Sequence, residues 1–160
     1  MKIGDIFDSI GPDLEAVERL LVQQGTDSRS ALLADVGGHI LSGGGKRFRP
    51  ALTLLCGRLC GTAPDRRVPM AASVELVHNA TLLHDDIVDE ASMRRGKPPA
   101  HLLWGDTAGV LTADFHFSRA FSLVLNAGGM HCLEVLNRTI HTIVEGELVQ
   151  FLRVGFTEMD

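Results

Sequence analysis

The sequence predicts an all-α protein, a bundle of mostly antiparallel helices joined by short loops. Two observations carry this reading. Apolar residues recur at three- and four-residue steps along nearly the whole chain. No stretch alternates apolar and polar residues as a half-buried strand would. Glycine and proline mark where one helix stops and the next starts.

Pro12 suits a first helical turn, and Leu14, Val17, Leu20 and Leu21 follow it at helical spacing. A second helix is expected from about Ser30 to Ser42, with Leu33, Val36 and Ile40 as its stripe, ended by Gly43, Gly44 and Gly45. Pro50 reopens a helix with Leu52, Leu55 and Leu59 facing inward, and Gly61 closes it. From Val68 to Val88 the apolar residues fall all round the cylinder, which marks a helix in the middle of the bundle. Ser92 to Pro99, with two Arg, one Lys, one Gly and two Pro, reads as a loop. Two long helices follow, from about Asp106 to Leu125 and from about Met130 to Phe151. One domain over residues 1–160 is the expectation for this length.

Composition excludes several classes. With 15 Lys+Arg against 20 Asp+Glu the chain carries a formal charge of −5, unlike a general nucleic-acid binder, which needs a basic face. No apolar run approaches a membrane span, and the start Met1-Lys2-Ile3-Gly4-Asp5 is not a secretory leader. Three cysteines do not make a disulfide framework and fit a reducing, cytoplasmic setting. Cys56 and Cys60 lack nearby partner ligands in sequence and read as small buried hydrophobes.

The chemistry concentrates in Leu83-His84-Asp85-Asp86-Ile87-Val88-Asp89. On a helix Asp85 and Asp89 share a face one turn apart, with Asp86 about 100° round from Asp85. Such carboxylates offer the hard oxygens that Mg²⁺ takes alongside substrate phosphates; alone, the string serves equally well as a solvated acidic helix end. Two basic clusters accompany it, Arg94-Arg95-Gly96-Lys97 and Gly43-Gly44-Gly45-Lys46-Arg47-Phe48-Arg49-Pro50. Acids that bind cations and bases that donate to phosphate together suggest diphosphate ligands. His84, beside the acids, is expected to orient a carboxylate.

These three strings, with Glu75-Leu-Val-His78 before the aspartates, together resemble the head-to-tail trans-prenyl diphosphate synthases over that family's first half. Trp104-Gly105 and Gly146-Glu147-Leu148-Val149-Gln150 also fall where the family has related patterns. The resemblance implies an isoprenoid-synthase-like helical fold. It also implies condensation of isopentenyl diphosphate with an allylic diphosphate, and a dimer. By the same resemblance Asp85, Asp86 and Asp89 would hold Mg²⁺ against the allylic diphosphate, with Arg94 on that diphosphate. Lys46, Arg49, His78 and Arg95 would bind isopentenyl diphosphate. Ala80 and Thr81, small residues one turn before the aspartates, would leave a tail tunnel open, implying a long, octaprenyl-type product. Asp114, where the family more often has Gly-Asp than Ala113-Asp114, is expected to be a structural hydrogen-bonding residue.

After Asp89 no window repeats three aspartates at that spacing, so the family's second aspartate motif is absent from these residues. The expectation is therefore a truncated bundle, inactive or nearly so by itself. Apolar residues such as Phe115, Phe117, Phe121 and Leu148 would face water or a partner. The alternative is a non-catalytic subunit pairing with a complete synthase; the intact aspartate string favours the enzyme.

Overall fold

The computed structural model describes residues 3–157. Their regular structure is helical throughout: α1 (Ile3–Ser9), α2 (Gly11–Thr26), α3 (Ala31–Ser42), α4 (Phe48–Leu59), α5 (Pro64–Val88), α6 (Ala100–Trp104) and α7 (Asp106–Thr157). The all-α expectation is met, and α1 and α6 are additions to it. Ser30 caps α3 by accepting the Leu33 N–H at 3.4 Å. Pro64 opens α5, and Pro69 sits early enough in it that the helix loses one backbone bond and continues. No helix among the described residues is long and apolar enough to cross a membrane.

Helix α5 occupies the centre, as its all-round apolar surface requires. Leu76 meets Leu21 of α2, Leu54 of α4 and Ala120 of α7 in one core. Ala80 and Leu83 meet Val36 of α3 and Ala113 of α7 in a second. The inward stripe of α4 differs from the expected one. It is Pro50, Ala51 and Leu54, with Leu55 partly buried against the core as expected, while Leu52 and Leu59 are exposed. The shift in phase also exposes Cys56 and Cys60, correcting the expectation that they are buried.

Two glycines shape the packing. A Cβ on Gly37 would overlap the Gly25 carbonyl oxygen, so α2 and α3 cross almost backbone to backbone there. The His116 ring closes that crossing from α7, fully buried, with neither nitrogen in hydrogen-bond geometry although Nε2 faces the Gly25 carbonyl. Burial pulls its imidazole down to about 4, which the Gly25 carbonyl only partly opposes. Gly129, at φ 76 and ψ −172, breaks α7 into two arms. That conformation belongs essentially to glycine. The second arm folds back. Leu133 shares a trough with Phe121 and Leu125 of the first arm, and Leu136 and Ile140 reach the core around Ala120. The two expected long helices are thus the arms of one hairpin with no intervening loop. Phe115, Phe117 and Phe121 are partly buried in consequence, whereas Leu148 is exposed as expected.

A carboxylate staples the other end. Asp13 Oδ2 accepts from Arg58 Nη2 and Arg67 Nη2, each at 2.9 Å. Burial would raise the Asp13 carboxyl, but the hydrogen bonds from Arg67 and Arg58 outweigh it and hold it below 3.8.

Gly37→Ala should destabilise the fold by about 1–3 kcal/mol through overpacking, read as a lower urea midpoint with an unchanged slope. An undiminished midpoint would mean that the α2–α3 crossing is looser than described. Because His116 binds its proton more weakly folded than unfolded, stability falls as pH drops from about 6.5 towards 4. At pH 5 the loss should be about 2 kcal/mol relative to pH 7, and His116→Leu should flatten that slope. Asp13 acts lower, its stabilisation being lost only as pH falls below about 4.

Candidate functional site

The aspartate string ends α5. Asp89 caps the helix, its N–H bonded to the Asp85 carbonyl at 2.8 Å. Asp86 is only 2% exposed and faces inward, accepting from Arg94 Nε at 2.7 Å. Asp85 is half-buried and Asp89 exposed. Among the described residues no three Asp, Glu, His or Cys side chains converge to hold a metal ion. Adjacent helical residues point about 100° apart, so Asp86 serves the Arg94 ion pair while Asp85 and Asp89 share the outer face.

A further acid reaches this face. The Asp85 carboxyl is raised above 3.8, chiefly by burial, then by the charges of Glu147 and Asp89, with Arg94 opposing. Glu147 lies on the second arm of α7, and the reversal at Gly129 brings it back. In the sequence Glu147 stands within the Gly146–Gln150 pattern, with nothing local to mark it as a partner of the aspartates. Only the hairpin, which the spacing does not announce, makes it a neighbour of Asp85.

The basic residues assemble beside the acids. Arg94 and Lys97 bond to each other through their backbones, the Arg94 N–H at 2.8 Å and the Lys97 N–H at 3.0 Å, and Arg95 takes φ 52 within that turn. The Arg95 guanidinium donates to the Gly44 carbonyl, and His39 Nε2 lies 3.0 Å from the Pro98 carbonyl. The two basic loops therefore meet. His78, half-buried on α5, is pulled below 6.5 first by burial, then by Arg49, Arg95 and Arg94, with Glu75 opposing. Three guanidinium charges thus bear on one imidazole. Lys46 is exposed on the adjoining glycine loop.

Arg47 departs from the cluster in which the sequence places it. It turns inward, donating to Glu18 and, at 2.9 Å, to Glu75 Oε1. Two buried or part-buried carboxylates claim it, so it is not a phosphate donor. Ala80 is fully buried in the second core, and Thr81 is partly exposed, its hydroxyl spent on the His78 carbonyl at 2.9 Å. Of the two expected tunnel residues, only Thr81 reaches an accessible face. His84 contacts no aspartate of the string. Its Nε2 is 3.8 Å from Asp114 and its ring 5.9 Å from Phe117. Asp114 is exposed and makes no hydrogen bond, contrary to the structural role expected of it. Beside it an apolar trough of about 380 Å³ runs along Phe117, Phe121, Leu125 and Leu133.

A family model described as polyprenyl synthetase matches residues 30–159. The chain is 39% identical to an octaprenyl diphosphate synthase of Escherichia coli (strain K12) over 155 residues, 97% of this chain and 48% of that protein. It is 37% identical to an all-trans-nonaprenyl-diphosphate synthase (geranyl-diphosphate specific) of Rhodobacter capsulatus, over 91% of this chain and 45% of that one. Among solved structures, a polyprenyl synthase from Caulobacter crescentus CB15 complexed with calcium and isoprenyl diphosphate superposes with a TM-score of 0.90 at 40% identity. That superposition covers 95% of this chain and 46% of the other. The chain spans about half the length of the curated relatives it matches.

The Asp86–Arg94 pair should respond asymmetrically. Arg94→Leu, which strands a buried carboxylate, should cost about 3 kcal/mol in urea unfolding, and Asp86→Asn clearly less, since Arg94 reaches water. Equal costs would contradict the burial described. Asp85→Asn should raise the melting temperature in metal-free buffer, because the ionised carboxylate sits among like charges.

Proposed function

Because the chain belongs to the polyprenyl synthetase family, we propose that residues 1–160 form one helical unit that carries the diphosphate-binding walls of a prenyltransferase. The reaction is condensation of isopentenyl diphosphate with an allylic diphosphate. The observation that carries this reading is the spacing on α5. His78, on which the charges of Arg49, Arg94 and Arg95 act, precedes Asp85 by seven residues. Seven residues are two turns, so the two groups share a face about 10 Å apart along the axis. One rigid helix thereby presents a cationic subsite and an acidic one side by side.

The acidic subsite suits a hard divalent cation. Asp85 is crowded by Glu147 and Asp89 with Arg94 as the opposing charge, so local anionic charge is in excess. Mg²⁺ commonly takes one or two carboxylates and completes its shell with water and substrate phosphate, which matches Asp85 and Asp89 on one face. Asp86 supports them by anchoring Arg94. When bound there, Mg²⁺ supplies Lewis-acid neutralisation of charge on the departing diphosphate. Arg94, bonded to Asp86 through Nε and Nη2, turns its remaining edge to the same group. Lys46, Arg49, His78 and Arg95 hold the isopentenyl diphosphate.

In the reaction the allylic C–O bond breaks with its electrons leaving on diphosphate. The isopentenyl double bond attacks the resulting cation, and a proton is then lost from the new chain. The Phe117–Phe121–Leu125–Leu133 trough offers the apolar tail a surface to lie on. A long, octaprenyl-type product fits the small residues Ala80 and Thr81 one turn before Asp85, with Thr81 the one that meets the tail. A cytoplasmic dimer belongs to the same proposal. Its support is the exposed apolar surface of the second arm, including Leu148, Phe151 and Leu152.

Calorimetric titration of inorganic diphosphate tests the two subsites. Binding should have a Mg²⁺-dependent part that Asp85→Ala weakens by about tenfold or more, and a Mg²⁺-independent part that Arg49→Ala weakens while Asp85→Ala leaves it alone. Diphosphate binding indifferent to both variants would sink the assignment. The 160-residue chain by itself should incorporate little or no isopentenyl diphosphate. Robust condensation would show that these residues suffice.

A further inference from the structure

Arg47 is an unusual residue to find buried in a basic loop. Its side chain is 13% exposed, and its backbone takes φ 49 at the start of α4, a left-handed conformation rare for a long side chain. That turn separates it from its neighbours. Lys46 and Arg49 stay exposed while Arg47 enters the gap between α2 and α5. There Nη2 donates to Glu18 Oε2 at 3.1 Å and Nη1 to Glu75 Oε1 at 2.9 Å. Glu75 is 4% exposed and lies three residues before His78, hence on the same side of α5.

A buried carboxylate beneath an anion subsite is a liability. It repels the diphosphate that the subsite is there to hold, and little solvent screens it. We propose that Arg47 is a positioning residue that neutralises Glu75 beneath His78, so that the surface formed by His78, Arg49 and Arg95 stays net cationic. This rests on the reading that this surface holds a diphosphate. The charged groups acting on His78 are Arg49 at the start of α4, Arg94 and Arg95 from the loop after α5, and Glu75 from α5 itself. Of these only Glu75 is anionic, and Arg47 is the cation bonded to it. Arg47 thus acts on the ligand through Glu75 without touching it.

The test compares wild type, Arg47→Met, Glu75→Gln and the double variant. The His78 imidazole is titrated by NMR, and metal-free inorganic diphosphate affinity is measured at pH 8, where His78 is neutral. Arg47→Met should raise the His78 midpoint by about half a unit or more and weaken diphosphate by about fivefold. Glu75→Gln should lower the midpoint and leave binding as tight or tighter. The double variant should return both readings towards wild type, an outcome that loss of packing alone does not produce. A folded Arg47→Met protein with an unmoved His78 midpoint, or a double variant as weak as Arg47→Met, overturns the proposal. If Arg47→Met does not fold, Glu75→Gln decides: a midpoint that does not fall overturns it. Wild type that binds no diphosphate instead overturns the functional reading, and the His78 midpoints still decide what Arg47 does.

Discussion

A carboxylate almost wholly withdrawn from water needs a cation, and Asp86 obtains one by pulling Arg94 back across the end of α5. The geometry of the site descends from that pair. With Arg94 fixed, the turn through Arg95 and Lys97 is fixed, and the Arg95 guanidinium lands on the Gly44 carbonyl. The loop after α5 then rests on the loop after α3, with the Pro98 carbonyl against His39. Two segments that differ by some fifty residues in sequence become one basic surface because a single buried acid demands compensation.

Charge on this molecule is sorted by depth. Buried or part-buried ion pairs hold helices together: Asp13 with Arg58 and Arg67, Glu75 and Glu18 with Arg47, Asp86 with Arg94. The pairs of Asp13 and of Arg47 join elements distant in sequence, while the Asp86–Arg94 pair spans eight residues and leaves Arg94 partly exposed. The remaining groups, Asp85, Asp89, Lys46, Arg49 and Arg95, are the more accessible ones. Membership of a motif therefore does not decide a residue's task. Asp86 and Arg47 sit inside the two most conspicuous strings of the sequence, and both are engaged in ion pairs.

How much of this could be read in advance depended on the range of the interactions involved. The central position of α5 was legible because an apolar cylinder admits no other location, and α3 was legible from Ser30 and the glycine triplet. The phase of α4 was not. Whether Leu52 or Leu54 points inward depends on where the helix starts, and Phe48 precedes the proline that seemed to open it. The nearness of acids to bases was legible in outline from their strings. The inward turn of Arg47 rests on partners 29 and 28 residues away, Glu18 and Glu75, and no local pattern encodes it. Glu147 was hidden for the same reason, since its relation to Asp85 exists only through the reversal at Gly129.

That reversal has a thermodynamic corollary. Asp85 and Glu147 repel, yet the arm bearing Glu147 is held down by few buried side chains beyond Ile140. In the bare protein the acid face therefore pushes the hairpin open while the core near Gly129 keeps it shut. Any cation settling between those carboxylates turns the push into a pull, fastening the far tip of the arm like a clasp. Under the proposed function, occupancy of the site and rigidity of the arm's distal half are therefore two readings of one equilibrium.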